Sequence, residues 1–100
     1  MQTHSRQLLV IITEAALEKL LIKAARQYGA QGYTIVDVRG GGQHGTRDDS
    51  WEADRSIEMK VICTAEVAEK LSQHVLETYC PHYSVSMFMT EVGVLRPEKY

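Results

Sequence analysis

The chain is 100 residues long, which suits a single domain and is too short for two. With 44% hydrophobic and 24% charged residues it has the composition of a globular protein, and its formal net charge of -2 argues against general nucleic-acid binding. The apolar run LLVII (residues 8–12) is far shorter than the roughly 20 residues of a membrane span, and MQTHSRQ lacks the layout of a signal peptide. Cys63 and Cys80 have neither metal-site spacing nor the density of a disulfide scaffold, which predicts a reduced, cytoplasmic protein.

The first half of the chain predicts a strand, a helix and a second strand. Residues 7–12 (QLLVII) form a nearly continuous apolar run, typical of a buried strand. Thr13 is then predicted to cap a helix that has Glu14 in its first turn and ends at Gly29. The apolar positions of this helix are Leu17, Leu20, Leu21, Ala24, Ala25 and Tyr28. Residues 33–38 (YTIVDV) favour a strand.

The second half repeats this pattern. Residues 56–63 (SIEMKVIC) alternate between apolar and polar positions, as in a strand with one buried face. A helix is predicted from Thr64 to Pro81, a strand over residues 83–95, and a frayed tail after Pro97. The apolar positions of this helix are Ala68, Leu71, Val75 and Tyr79.

An internal repeat supports the βαββαβ order. VIITEAALEKLL (residues 10–21) and VICTAEVAEKLS (residues 61–72) match at six of twelve positions, and each reads as strand, Thr cap and helix. The predicted fold is α+β and ferredoxin-like, a four-stranded antiparallel sheet with two helices on one face. The other face would then carry apolar residues, which implies a further layer, most simply other copies of the chain. These residues are drawn from Val36, Val38, Ile62, Phe88 and Val92.

Catalytic and metal-binding motifs are weak. The four histidines are scattered, and Cys80, two residues before His82, is better explained as a small apolar helix-end residue than as a nucleophile. The acidic residues of the loop could hold a divalent ion but also resemble any solvated loop. They are Asp48, Asp49, Glu52 and Asp54. An RNA-binding sheet is excluded, because SIEMKVIC lacks the aromatic residues that such a strand needs.

The glycine-rich segment after residue 38 leaves two interpretations open. Gly40, Gly41 and Gly42 could take positive φ and present consecutive N–H groups to an anion, with nearby Arg39, His44 and Arg47 binding phosphate. The alternative is a flexible hairpin connection, which is weakened by length, because some 15 residues far exceeds the usual 2 to 5 and such loops are usually functional or disordered. No helix follows the glycines, so the segment is neither a P-loop nor a dinucleotide fingerprint.

The segment GAQGYTIVDVRGGGQHG (residues 29–45) resembles the second strand and the start of the T-loop of PII signalling proteins. In that family a GxxGxT strand precedes a basic residue and a Gly-x-Gly pair, and the βαββαβ order agrees along nearly the whole chain. Arg47 and the ending Gly93-Val94-Leu95 are similar to the PII-like subgroup linked to inorganic-carbon uptake. That subgroup contains the cyanobacterial bicarbonate-transporter regulator and the carboxysome-associated PII proteins, of which the latter are the closer resemblance.

The resemblance implies one PII-like domain over residues 1–100 with a T-loop at about 39–55. It also implies a non-enzymatic homotrimer that binds ADP or AMP in the clefts between subunits, together with bicarbonate and without a metal or other cofactor. A membrane bicarbonate transporter is the implied partner. Thr34 would hydrogen-bond the adenine edge, and Arg96 would reach the phosphates from a neighbouring subunit. The remaining implied nucleotide contacts are Arg39, Gly40, Gly41, Gly42, Gln43, His44 and Arg47.

The sequence departs from nitrogen-type PII proteins at one phosphate-binding loop. Their GxGK loop is replaced here by YCPHYS (residues 79–84), which favours mono- or diphosphates over ATP. The loop has no tyrosine for uridylylation, and the cyanobacterial subgroup's C-terminal cysteine pair is missing. Two alternatives stay open: a trimeric metal-tolerance protein of the CutA type with Cys and His ligands, and slow nucleotide hydrolysis in the same cleft.

Overall fold

The structure, a computed structural model, describes residues 1–42, 45–47 and 55–100. Its helices are α1 (Glu18–Gln27) and α2 (Ala65–Thr78), with short 3-10 helices at Ala15–Leu17 and Pro97–Lys99. Its strands are β1 (His4–Glu14), β2 (Thr34–Val38), β3 (Gly40–Gly42), β4 (Gly45–Arg47), β5 (Ser56–Cys63) and β6 (Val85–Val94). Among the described residues, neither helix has the length and apolar character needed to cross a membrane.

Four strands form one antiparallel sheet in the order β2-β5-β1-β6, and β3 pairs with β4 in a separate two-stranded ladder. The two long central partners, β1 and β5, pair from Gln7 with Cys63 to Glu14 with Ser56. This arrangement confirms the predicted ferredoxin-like fold, with the β3–β4 ladder added between the second and third strands of the βαββαβ pattern.

The hydrophobic core lies between the two helices and one face of the sheet. The helices contribute Leu21, Ala24 and Ala25 from α1 and Ala68, Leu71 and Val75 from α2, all of them buried. The sheet contributes Leu9 and Ile11 from β1 and Met59, Val61 and Cys63 from β5. The apolar alternation predicted for β5 and the apolar stripe of α2 are therefore confirmed. Leu20 of the predicted α1 stripe is instead 47% exposed.

The two strand–helix junctions differ, although the repeat predicted that they would match. Thr64 caps α2 as predicted, since its side chain accepts a hydrogen bond from the Val67 N–H at 3.3 Å. The prediction that Thr13 caps the first helix is wrong. Thr13 lies inside β1, fully buried, and its hydroxyl donates to the Ser84 carbonyl at 2.8 Å. That bond and the pairing of Thr13 with Ile57 and Val85 hold the chain extended, so α1 begins later, at Glu18.

The end of α1 follows the sequence prediction. Gly29 has a φ of +101°, the left-handed conformation that commonly ends a helix and that a residue with a side chain adopts only under strain. The Ala30 N–H donates to the Ala25 carbonyl at 2.9 Å, which satisfies one of the last carbonyls of the helix.

The sheet face opposite the helices is partly apolar and exposed within one chain. Phe88 is 55% exposed and Val36 is 45% exposed. Phe88 of β6 pairs with Val10 of β1, and Val10 pairs with Lys60 of β5. Lys60 in turn pairs with Thr34 of the edge strand β2, so these four residues form one row across the sheet. Exposed apolar side chains on a sheet face favour contact with another protein surface.

The C-terminal residues are ordered, although the sequence predicts a frayed tail. The guanidinium of Arg6 donates to the carbonyl of Pro97 at 3.1 Å and to that of Tyr100 at 3.4 Å. The Lys99 and Tyr100 amides donate to Arg96 and Pro97, closing the short 3-10 helix. The first strand of the sheet therefore holds the last residues in place through a single side chain.

The difference between the two threonines gives a stability prediction. We expect Thr64→Ala to lower the free energy of unfolding by about 1 kcal/mol, because the Val67 N–H loses its capping acceptor. Urea unfolding followed by circular dichroism at a fixed protomer concentration measures this, with the wild type and Thr64→Ser as references. Thr64→Ser keeps the hydroxyl and should unfold close to wild type; equal loss in both variants would contradict the capping role.

Candidate functional site

The base of the segment between β2 and β5 is closed by one strand pair. Val38, the last residue of β2, pairs with Ser56, the first residue of β5. Because the strands are antiparallel, Arg39 and Arg55 flank this pair and leave the sheet side by side. A cavity of about 240 Å³ lies here, lined by Asp37, Val38, Arg39, Arg55 and Ser56.

The glycines after Arg39 form a strand rather than an anion-binding turn. Gly40–Gly42 pair with Gly45–Arg47, Gly40 opposite Arg47. Gly40 does not have positive φ, and a Cβ added there would meet open space, so the expected left-handed conformation is wrong at this position. In a strand, successive N–H groups point to opposite sides, so consecutive amides cannot all face one anion. Only alternate amides of this ladder can face the same anion.

Thr34 lies at the opposite end of the same edge strand. It is the first residue of β2, exposed, and paired with Lys60. Five residue steps separate it from Arg39, about 17 Å in a strand. A nucleotide that lies along β2 could therefore reach Thr34 with its base and the start of the glycine ladder with its phosphates.

Arg96 lies far from these residues in the same chain. It follows β6, which forms the sheet edge opposite β2. Arg96 lies near the end of the sheet where His4 of β1 pairs with Val94. The loop base lies near the other end of β1, where Glu14 pairs with Ser56. The ten residue steps of β1 between these levels span about 33 Å. Arg96 could complete a site at β2 only if it came from another copy of the chain.

The local environment of Arg96 leaves its side chain accessible. The side chain is 70% exposed, and its Nε lies 3.2 Å from a carboxylate oxygen of Glu98. Exposed pairs of this kind contribute little to stability, so the guanidinium can exchange this partner for a stronger anion at small cost.

Part of the predicted site lies outside the described residues. This holds for Gln43 and His44, and for the acidic residues Asp48, Asp49, Glu52 and Asp54 with their predicted ion-binding role. For Arg47 the structure describes the backbone in β4, opposite Gly40.

Arg55 was missed by the sequence analysis as a site residue. Its carbonyl accepts a hydrogen bond from the Ala15 N–H at 2.8 Å, which fixes its backbone to the turn after β1. Its side-chain Nε is buried and, within the described part of the chain, has no hydrogen-bond partner. The strand pairing could have revealed it, because the antiparallel pair of Val38 and Ser56 places the residue before β5 beside the residue after β2.

The cysteines lie in packing positions. Cys63 is in the core, and burial raises the pKa of its thiol above the ordinary value. Cys80 packs against the core, with its N–H donating to the Val75 carbonyl. Across the residues that the structure describes, no three His, Cys, Asp or Glu side chains lie close enough to hold a metal ion. The described residues therefore offer no support for the metal-tolerance alternative.

The chain is similar to known proteins in both sequence and fold. Residues 6–99 match the family profile of the nitrogen regulatory protein P-II. A PII-like signalling protein from Thermus thermophilus is 38% identical, with a TM-score of 0.87 over 100% of this chain and 99% of that one. CPII, a nitrogen regulatory PII-like protein from Thiomonas intermedia solved with ADP, AMP and bicarbonate, is 25% identical, with a TM-score of 0.88 over 98% and 95% of the two chains.

A second structure of CPII, bound to ADP and bicarbonate, has a TM-score of 0.87 and 25% identity, with 98% of this chain and 96% of that chain covered. Because the family profile covers nearly all of the sequence, this chain belongs to the P-II family of nitrogen regulatory proteins and is a PII-like signalling protein.

The packing of the two cysteines predicts different reactivity. In the folded protein we expect a thiol reagent such as iodoacetamide to modify Cys80 well before Cys63, because Cys63 is 2% exposed and burial keeps its thiol protonated. The raised pKa of Cys63 means that the folded protein favours the protonated thiol. The resulting contribution to the free energy of unfolding is fully present below the ordinary thiol pKa and is lost as the pH rises through the folded-state pKa. Peptide mass spectrometry of partially labelled protein at about pH 7.5, below the ordinary thiol pKa, measures the order. Labelling of Cys63 as fast as Cys80 in the native protein would contradict it.

Proposed function

We propose that this protein is a non-enzymatic, homotrimeric cytoplasmic sensor that binds ADP or AMP and bicarbonate. In this proposal the nucleotide lies in each cleft between subunits, and the T-loop, at about residues 39–55, transmits the bound state to a membrane bicarbonate transporter. This function is the one implied by the sequence resemblance to the carboxysome-associated PII proteins.

The observation that carries the nucleotide proposal is the placement of Arg39 at the end of an exposed edge strand. Thr34 begins that strand, and Arg39 and Gly40 follow it directly, beside a cavity of about 240 Å³. This gives a polar group for the base and a guanidinium for phosphate at a separation comparable with an extended nucleoside diphosphate. Arginine suits phosphate because its planar group forms two parallel hydrogen bonds. The similarity to CPII, which was solved with ADP, AMP and bicarbonate, supports the same choice of ligands.

The position of Arg96 supports a site shared between subunits. Within one chain it lies at the opposite corner of the sheet from Arg39, about 33 Å along β1 by strand geometry. The exposed row that contains Phe88 and Thr34 lies on the open face, where another subunit would pack. Packing on this face would bury apolar surface and bring a neighbour's residues towards β2, which supplies a physical reason for assembly.

Regulation would act through differential binding to two conformations of the T-loop. A ligand that contacts Arg39, Gly40–Gly42, Gln43, His44 and Arg47 in one conformation stabilises that conformation by the free energy of those contacts. A transporter that binds only this conformation would then respond to the nucleotide and to bicarbonate. Inorganic-carbon uptake is the process that best fits a bicarbonate-responsive member of this family.

Calorimetric titration tests the nucleotide site. We expect the wild-type protein to bind ADP or AMP, and Arg47→Ala to weaken that binding by roughly tenfold or more, because a charge-assisted hydrogen bond to phosphate is lost. Arg26→Ala, which removes an exposed arginine of α1, is the matched control and should bind like wild type. Light scattering should show a trimer for all three proteins.

The bicarbonate proposal predicts that the affinity for ADP changes when bicarbonate replaces chloride at constant ionic strength and pH.

Each part of the proposal would be refuted by a different experimental result. Wild-type protein that binds neither ADP nor AMP would refute the nucleotide site. Arg47→Ala with unchanged affinity would refute the predicted role of Arg47, and an ADP affinity indifferent to bicarbonate would refute carbon sensing.

A further inference from the structure

The arginine at position 6 forms hydrogen bonds that the nucleotide proposal does not use. Its Nη2 donates to the Pro97 carbonyl at 3.1 Å and its Nε donates to the Tyr100 carbonyl at 3.4 Å. A third donor, Nη1, bonds the Ser5 carbonyl at 2.9 Å, which orients the guanidinium against its own strand. The planar fork of one side chain therefore joins β1 to both ends of the 3-10 helix Pro97–Lys99.

The strand β1 is a firm support for this guanidinium. Arg6 pairs with Val92 of β6, and Leu9, three residues further along β1, is fully buried in the core. Because side chains alternate along a strand, Arg6 belongs to the same sheet face as Val10, the face opposite the helices. Residues 97–100 are thus tied to a side chain of the open face, on which another subunit is proposed to pack.

The bonds from Arg6 restrict the backbone that carries Arg96. Pro97 follows Arg96 directly, and its ring locks its own φ and disfavours helical backbone at the residue before it. Arg96 accordingly has a φ of -126° and a ψ of 78°, outside the helical region. Its carbonyl accepts the Lys99 N–H at 3.1 Å. Since only the proline separates the carbonyl held by Arg6 from Arg96, little backbone freedom remains at Arg96.

The two arginines differ in what their side chains can do. Arg6 is half-buried, and its donors bond backbone carbonyls. The Arg96 side chain is 70% exposed, and its ion pair with Glu98, at 3.2 Å, is of the exposed kind that contributes little to stability. An accessible arginine on an ordered segment loses less conformational entropy when it binds an anion than one on a segment that must first be ordered.

We infer that Arg6 is a positioning residue for the nucleotide site, because it holds the segment that presents Arg96 to the phosphates of a nucleotide at β2 of the neighbouring subunit. The ligand and the shared cleft rest on the proposed function, whereas the clamp rests on the hydrogen bonds from Arg6. Arg6 does not touch the nucleotide and acts only through Arg96. Loss of the clamp therefore weakens ADP binding only while Arg96 is present.

A double-variant cycle with ADP separates positioning from a general structural role. In calorimetric titration of the full-length protein we expect Arg96→Ala to weaken ADP binding roughly tenfold. Arg6→Met, which keeps the apolar stem but lacks the donors, should weaken it roughly fivefold. The double variant should bind like Arg96→Ala alone, because the position of a missing side chain has no effect. Ser5→Ala is the matched control and should bind like wild type, since it removes only an exposed hydrogen bond to Glu91 in the same strand pair.

Nuclear magnetic resonance tests the clamp itself. The Lys99 and Tyr100 amides donate to the carbonyls of Arg96 and Pro97. We expect their ¹⁵N heteronuclear Overhauser effects to fall in Arg6→Met and to stay at the wild-type values in Ser5→Ala, because the unclamped segment moves on the picosecond-to-nanosecond timescale. In Arg6→Lys, which keeps the positive charge without the fork, ADP affinity should follow these values, with both retained or both reduced. Wild-type affinity with a loss of order in Arg6→Lys would overturn the positioning role.

The outcomes distinguish this inference from the proposed function. Wild-type protein that does not bind ADP, or Arg96→Ala with wild-type affinity, would refute the shared nucleotide site and this inference with it. ADP binding that is weakened by Arg96→Ala but not by Arg6→Met would overturn this inference alone. The same holds for losses that multiply to roughly fiftyfold in the double variant, and for unchanged order at Lys99 and Tyr100 in Arg6→Met.

Discussion

The antiparallel pairing of β2 with β5 is the constraint on which the site depends. It closes the segment between residues 39 and 55 at a single pair, Val38 with Ser56, and places two arginines beside each other at its base. The same strand β5 pairs with β1 and contributes Met59 and Val61 to the core. The loop base is consequently attached to the most buried part of the sheet, and the two ends of the segment are fixed beside each other.

The one-sided helical layer is the second feature that matters for function. Both helices pack on the same sheet face, so Val36 and Phe88 remain exposed on the other. Arg96, meanwhile, lies at the corner of the sheet remote from Arg39. One arrangement would account for both observations, namely copies of the chain packed through their open faces so that a C-terminal arginine of one reaches the edge strand of the next.

Much of the fold followed from the sequence because the patterns were local. Alternation along Ser56–Cys63, the helical spacing of Leu71 and Val75, and the stop at Gly29 each depend on neighbouring residues. Predictions failed where a distant contact decided. The sequence predicts Thr13 as a helix cap, but its hydroxyl donates instead to the Ser84 carbonyl. The sequence also predicts a frayed tail, whereas Arg6 donates hydrogen bonds to carbonyls of the tail. The place of Arg55 in the cavity lining was missed for the same reason, since it depends on a strand pairing rather than on its sequence neighbours.

The central claim, a nucleotide site shared between subunits, is tested most directly by complementation. Subunits carrying Arg47→Ala and subunits carrying Arg96→Ala are co-expressed with different affinity tags, and hybrid trimers are isolated through both tags. Each parent trimer should bind ADP weakly, because every cleft lacks one arginine. Hybrids should regain a fraction of sites with wild-type affinity, because some clefts combine an intact Arg47 with an intact Arg96 from the neighbour. Hybrids that bind ADP no more tightly than a mixture of the two parents would contradict the shared site.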